Sequence, residues 1–224
     1  MKILFKYATR SRPELFLRGL QSILMNVSNN NYQILVSVDH DDDSMIQCTR
    51  DIYKRSDVTV VVGNSRNKVH AINRDIELAA KWDILVNMSD DMVFTKNGFD
   101  DDIRKAFDNL DQCIHFPDQN QGENCMTMSI MGSDYYKRFG YIYNPEFDSL
   151  WCDVVAQEVA QINGCYKFVN QNIFLHLHPS FGQSVYDEQY KKTESWVLRQ
   201  KDYATYLRLK NDYDKDKRFP IRAI

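Results

Sequence analysis

The chain has no hydrophobic run approaching the ~20 residues that a membrane-spanning helix needs. It lacks a charge excess of either sign. Lys and Arg total 28 against 31 Asp and Glu, a formal net charge of -3, which removes the electrostatic case for nucleic acid as a main partner. Its five cysteines are an odd number and include no Cys-x-x-Cys pair. Cys48, Cys113, Cys125, Cys152 and Cys165 therefore read as reduced, mostly buried thiols, and neither a zinc site nor a disulfide framework is expected. No internal repeat and no low-complexity segment interrupts the chain. The apolar part of Met1-Lys2-Ile3-Leu4-Phe5-Lys6 is too short for a secretory signal and reads as a first strand, so the expected location is cytoplasmic, with no transmembrane segment. What is present, 224 residues of which 43% are hydrophobic, is enough for one compact α/β domain with a full core.

Four short apolar stretches each stop at a polar cluster. Lys2 to Ala8 ends at Thr9-Arg10, Gln33 to Val38 at Asp39, Val58 to Val62 at Gly63-Asn64, and Ile84 to Met88 at Ser89-Asp90-Asp91. Between them lie helical patterns: Pro13 to about Asn26, with Pro13 suited to a first turn; about Asp43 to Arg55, capped by Asp43 or Ser44; and Asn67 to Ala80. The all-β-branched third strand is expected to be buried on both faces. Alternating strand and helix with short connections predicts a parallel sheet with right-handed crossovers, a Rossmann-like α/β fold. The four polar exits then share one edge, where open α/β sheets bind ligands. Further on, the pattern gives a helix over Asp100 to Leu110, a strand over Thr127 to Met131, a helix over Ser149 to Gln161, a strand over Ile173 to Leu177, and one long charged helix from 187 to about 212.

Several of these residues carry candidate chemistry. A carboxylate pair at the exit of a buried strand is costly unless a cation or ligand uses it. One or two carboxylates suffice for a hard divalent ion when a diphosphate and waters complete its shell, which points to Asp91 and Asp90. In the run Asp39-His40-Asp41-Asp42-Asp43, the Gly and distal Glu of a calcium loop are missing. Asp39 stands apart as the first residue out of its strand, where it can accept from a base N–H edge or from ribose hydroxyls. Arg66 and Lys68 near a helix start suit a diphosphate. Asp153 beside Trp151 is a candidate general base, with Asp148 and Glu158 as competing carboxylates. His176 and His178 share one face of a strand, and one or both could complete a metal shell.

These segments, taken in order, resemble a GT-A glycosyltransferase of the family 2 type. KYATRSRPELFLRGLQSI is similar to the family's first strand and helix, VSVDHDD to its second strand, and KVHAINRDI with WDILVNMSDDM to its helix and metal-binding aspartates. GYIYNPEFDSLWCDVVAQEVA resembles the acceptor segment, and HLHPSFG the late histidine strand. The resemblance covers Lys2 to about Tyr190. Asn67 stands where the family often has glycine, Ile72 where it has arginine, and Ser89 where a full DxD triplet has an acid.

The resemblance implies an inverting, metal-dependent glycosyltransferase acting on a nucleoside diphosphate sugar and an unknown glycan, lipid or protein acceptor. Thr9, Arg10, Arg12, Asp39, Asn64, Lys68, Asn73 and Asp90 are expected to hold the donor, Asp91 and His176 to bind Mn2+ or Mg2+, and Asp153 to act as base. A single domain is expected: residues 1–95 as the nucleotide-binding half, 96–186 as the acceptor half, and 187–224 as a C-terminal helical segment. A nucleotidyltransferase is the first alternative, although Thr9-Arg10-Ser11-Arg12-Pro13 has no glycine-rich phosphate loop. A non-catalytic nucleotide-sugar-binding module is the second.

Overall fold

The computed structural model describes residues 1–50 and 52–216, with side chains as far as Asp212. The far end of the expected C-terminal segment, 217–224, lies outside the described residues. The first half alternates as the sequence predicts: β1 (Ile3–Thr9), α1 (Pro13–Asn26), β2 (Tyr32–Asp39), α2 (Asp43–Thr49), β3 (Val58–Gly63), α3 (Lys68–Asn73) and β4 (Ile84–Met88). These strands pair in parallel, in the order β3-β2-β1-β4. The second half adds β5 (Met92–Phe94), α4 (Phe99–Ala106), β6 (Cys113–His115), β7 (Ile130–Gly132), α5 (Ser133–Phe139), α6 (Cys152–Ile162), β8 (Tyr166–Phe168), β9 (Phe174–His176), α7 (Glu188–Thr193) and α8 (Trp196–Asp216). Strands β7, β6 and β8 extend the same sheet to seven, with β7 antiparallel to both β4 and β6. A separate antiparallel pair joins β5 to β9. The result is an α/β, mostly parallel sheet flanked by helices.

Side chains alternate across a strand, so each central strand feeds two cores. Ile3, Phe5 and Tyr7 of β1, with Val86 of β4, pack under Phe16, Leu20 and Ile23 of α1 and Phe99 and Ile103 of α4. Leu4 and Leu85 point to the other face, against Val69 and Ile72 of α3, Val155 of α6 and Tyr206 of α8. Strand β4 is buried at every position. No described helix is long and apolar enough to cross a membrane.

Some expectations need correction. Strand β3 is not buried on both faces: it is the outermost strand, and Thr59 and Val62 are exposed. The helix after Asn67 stops at Asn73. Asp75 adopts a left-handed φ of 72° and only a short 3-10 turn, Ile76–Leu78, follows. Helix α2 is capped by Asp42, whose side chain accepts from the Met45 N–H, rather than by Asp43 or Ser44, and it ends at Thr49. The segment from 187 is two helices with a break at Glu194-Ser195.

The seam between β7 and α5 is closely fitted at Gly132. A Cβ there would lie 2.1 Å from the Leu110 carbonyl oxygen, a backbone atom that cannot step aside. Gly132→Ala is expected to destabilise the fold by about 3 kcal/mol through overpacking and to lower the melting temperature by roughly 6–12 °C. Thermal unfolding followed by circular dichroism checks this, and an unchanged midpoint would show that the seam is not tight.

Candidate active site

The carboxyl-end edge of the parallel strands borders a cleft of about 600 Å³, a size within the ~300–1,000 Å³ of small-molecule sites. Thr9 and Arg10 beyond β1, Asp39 closing β2, Asn64 beyond β3, and Asp90 and Asp91 beyond β4 all line it. Arg12, Arg66, Lys68, Asp148, Asp153, His176 and His178 line it as well. The sheet thus brings together residues that span most of the chain. Asn73 does not join them. Its amide donates to the Tyr143 carbonyl at 2.7 Å and its Oδ1 accepts from the Ile142 and Tyr143 N–H groups at 2.9 and 3.0 Å, which pins that loop. Glu158 is also outside the cleft and accepts from the Tyr206 hydroxyl at 3.0 Å.

The aspartate run resolves into separate tasks. Asp39 sits between two guanidinium groups: Arg10 Nη1 donates to its Oδ2 at 2.8 Å, and Arg74 Nη2 lies 3.7 Å from its Oδ1. Oδ1 is buried without a hydrogen-bond partner. Asp41 forms a bidentate pair with Arg10 at the surface. Asp42 caps α2 and also accepts from the Ser11 N–H at 2.6 Å. Arg74 reaches Asp39 across the end of β3. That path exists because position 63 is glycine, where a Cβ would lie 2.6 Å from Arg74 Nη1. Arg74 also pairs with Asp75 at 2.7 Å and donates to the Val38 carbonyl at 2.9 Å. Asp75 accepts from Ser37, and Ser37 from Lys6. The fully buried Lys6 is thereby linked to Asp39 at the edge of the cleft.

The second cluster gathers at the exit of β4. The β5–β9 register sets Met92 opposite His176, and the Leu177 N–H donates to the Asp91 carbonyl at 2.8 Å. His176 Nε2 therefore lies 3.3 Å from Asp91 Oδ2. Its Nδ1 lies 3.3 Å from Oδ2 of Asp118, a fully buried carboxylate. Asp118 is itself fixed by the N–H groups of Asn120 and Gln121, at 2.9 and 2.7 Å. The Tyr190 hydroxyl donates to Asp91 Oδ2. Arg12 lies 4.1 Å over the Tyr190 ring and pairs with Asp187 at 2.7 Å.

Electrostatics separate the two neighbouring aspartates. Burial pushes Asp90 up to about 7, against the pull of Thr9 and Arg12. Burial acts the same way on Asp91, but His176, Ser89 and Tyr190 outweigh it and hold the carboxyl well below the usual carboxylate range. Burial opposes a charge on His176, yet Asp118 and Asp91 together lift its pKa to about 9. Asp118, despite burial, is held down to about 2 by His176 and its two backbone donors.

Among the described residues, no three His, Cys, Asp or Glu side chains form a complete ligand set for a metal ion. A hard divalent ion at a diphosphate does not require one. Asp91 Oδ1 is buried with no hydrogen-bond partner, and His176 approaches the same carboxylate with a second carboxylate behind it. A ligating histidine usually has such a backing partner. Asp91 and His176, the latter once its Nε2 has given up its proton, therefore fit a cation of the Mn2+ or Mg2+ type. His178 lines the cleft but engages Glu194 rather than Asp91, with Nε2 3.2 Å from Glu194 Oε1. Asp153, second residue of α6, accepts from the Cys125 thiol at 3.6 Å.

Sequence reasoning missed Asp118, Tyr190, Asp187 and Arg74. Asp118 follows a three-residue strand and reads as an ordinary turn acid in Pro117-Asp118-Gln119-Asn120. Tyr190 belongs to a charged stretch with no apolar periodicity. Arg74 carried the best available signal, two residues beyond the expected arginine position at Ile72.

No protein-family model matches the chain, and no curated protein sequence matches it. Solved structures do. A mannosyltransferase, PcManGT from Pyrobaculum calidifontis in complex with GDP-Man and Mn2+, superposes with a TM-score of 0.63 at 14% identity, over 76% of this chain and 54% of that one. S. aureus TarS superposes at 0.62 and 13% identity, over 78% of this chain and 36% of its own. A 1-349 form of TarS in complex with UDP gives 0.61 and 13%, over 78% and 59%. The chain thus spans 36% to 59% of the lengths of these neighbours. The likeness establishes the architecture: the chain has a GT-A-like glycosyltransferase fold.

The network behind Asp39 has a testable pH signature. Burial lowers Lys6 from 10.5 to about 7, with Asp75 opposing and Arg74 adding to the shift. Between those values the unfolded chain holds a proton that the folded chain has released, so this group makes stability rise with pH from about 7 to 10.5. Lys6→Met removes the titration. The variant is expected to gain about 2 kcal/mol or more over the wild type near pH 6.5, with that advantage shrinking as pH approaches 10. Urea unfolding at both pH values measures it; a gap independent of pH would contradict the assignment.

Proposed function

We propose that this protein is a metal-dependent glycosyltransferase that moves a sugar from a nucleoside diphosphate donor to an acceptor hydroxyl with inversion. One observation carries the reading. Asp91, kept ionised by His176 with Asp118 behind it, shares a single cleft with the arginine-braced Asp39 and with Asp153. The GT-A-like fold supports it, as do the GDP-Man and Mn2+ in the PcManGT complex and the UDP in the TarS complex.

Each residue then has a role. Asp39 accepts from the base edge or from ribose hydroxyls with its unpartnered Oδ1, and Thr9, Arg10 and Asn64 shape the nucleoside end. Arg12, Arg66 and Lys68 offer positive charge to the diphosphate. Asp91 and His176 would hold Mn2+ or Mg2+, which when bound supplies Lewis-acid stabilisation of the departing diphosphate, worth several kcal/mol. Asp90, near neutral by burial, can donate a hydrogen bond to a donor oxygen. Asp153 removes the proton from the acceptor hydroxyl. The acceptor oxygen bonds to the anomeric carbon as the bond to the phosphate oxygen breaks, and the nucleoside diphosphate leaves from the opposite face. Leu150, in the segment that leads into Asp153, lines the cleft.

The test follows release of UDP or GDP from UDP- and GDP-sugars. Chelation of divalent ions and Asp91→Ala are each expected to abolish turnover. Asp153→Asn is expected to lower kcat by on the order of 10²–10⁴, the usual weight of a general base, while nucleoside diphosphate binding persists. Full activity with chelator and in Asp91→Ala would sink the metal requirement. Pyrophosphate release from a nucleoside triphosphate would favour a nucleotidyltransferase instead, and tight UDP or GDP binding without any turnover a binding module.

A further inference from the structure

Asp202 lies on α8, outside the cleft, and is fully buried. A buried carboxylate is costly unless donors satisfy it. Here all the named donors are backbone amides of one short segment. The Asp148 N–H donates to its Oδ1 at 3.0 Å, and the Ser149 and Leu150 N–H groups donate to its Oδ2 at 2.8 and 2.7 Å. Charge-assisted bonds of this kind are short and strong. The segment they hold lines the cleft and runs directly into α6, which carries Asp153 on its first turn.

The next residue shows that the segment needs holding. Trp151 has a φ of 64°, a left-handed conformation that a bulky residue rarely adopts. Its indole stacks on Tyr206 of α8 at 5.2 Å and packs on Tyr203 at 5.0 Å. Lys201 of the same helix pairs with the Asp148 side chain. From the other side, the Asn67 amide donates to Asp148 Oδ1 at 2.6 Å, and the Val69 N–H donates to the Asp148 carbonyl at 3.1 Å. The turn before Asp153 is thus bracketed between the start of α3, where Lys68 lies, and the C-terminal helix.

We infer that Asp202 is a positioning residue for the transfer step: its carboxylate fixes the backbone of 148–150 and so sets the placement of Asp153 against the acceptor hydroxyl. This rests on the reading of Asp153 as the base. Asp202 touches no reacting atom, and its bonds go to the 148–150 backbone that leads into Asp153, whereas Asp39 and Asp91 are placed by the strands β2 and β4. Removing it should therefore cost rate without costing donor affinity. A displacement of about 1 Å at a reacting group costs on the order of 100-fold.

Asp202→Asn is the sharpest variant, because it keeps the size while turning one acceptor into an NH2 that faces an amide N–H. Tyr203→Ala, at a partly exposed position, loosens the Trp151 packing and serves should the asparagine variant not fold. Three quantities are compared with the wild type: amide hydrogen exchange at 148–150, calorimetric affinity for UDP and GDP with Mn2+, and kcat for release of nucleoside diphosphate from UDP- and GDP-sugars. The expected result for Asp202→Asn is faster exchange confined to this segment, unchanged nucleotide affinity, and a fall in kcat on the order of 100-fold, with Tyr203→Ala changing the same quantities in the same direction and less. Unchanged exchange, an unchanged kcat, or nucleotide affinity lost in step with kcat would each overturn the inference. Absence of turnover in the wild type defeats the transferase reading itself, and is told apart because it requires no variant.

Discussion

A carboxylate delivered into the interior by a buried strand must be met there by positive charge or by donors, and Asp91 is where this chain faces that demand. Strand β4 is buried throughout, and Asp91 remains only 3% exposed beyond its end. The groups that meet it come from far along the chain: His176 from β9, Tyr190 from α7, and Asp118 indirectly through His176. The two-stranded β5–β9 sheet performs the key step. By pairing Met92 with His176 it sets the imidazole beside the carboxylate through backbone register, with no reliance on a flexible side chain. Three residues per strand are enough because the pair is anchored at once by β4 and by the packing of Phe94 against Phe174.

The same requirement is answered differently at Asp39. There the counter-charges are Arg10, close along β1, and Arg74, which folds back across β3 where Gly63 leaves room. Arg74 takes that path just where α3 ends, and Asp75 beside it has a left-handed conformation. The polar chain continues through Ser37 to Lys6 in the middle of β1. A buried lysine in the central strand is a local inconsistency in an otherwise apolar pattern, and such inconsistencies concentrate at functional sites. It ties the middle of β1 to the position of Asp39.

The parallel half of the fold was legible because each strand is an apolar run closed by a polar cluster, and β4 has the bounds that its composition indicates. The order of the strands was not legible. A β-branched run looks the same in the centre or at the edge, and β3 is at the edge. In the second half, the strands read over 127–131 and 173–177 correspond to β7 and β9, whereas β5, β6 and β8, of three residues each, are too short for a period of two to stand out. The helix over 67–80 was misread because propensity yields to tertiary contacts at Arg74, which donates to the Val38 carbonyl, Ser65 and Asp75. Of the site, the residues at strand exits could be found one by one. Asp118 and Tyr190 could not, since their importance comes from what folding brings next to them.

The two walls of the cleft differ in what fixes them, and this accounts for the uneven legibility. On the wall formed by the strand exits, Thr9, Asp39, Asn64 and Asp91 follow strands whose positions are set by ladders of backbone bonds shared among many residues. On the opposite wall no long strand is available, and single side chains fix the backbone instead. Asn73 holds 142–143, Asp202 holds 148–150, and Gln157 accepts from the Met126 N–H while donating to the Glu123 carbonyl. A ladder leaves a periodic trace in the sequence; one polar residue fastening a distant loop leaves none. The load also differs. A change to one residue at a strand exit is shared across the sheet, while loss of one fastening on the opposite wall loosens one loop and leaves the sheet register, which positions the carboxylates, in place.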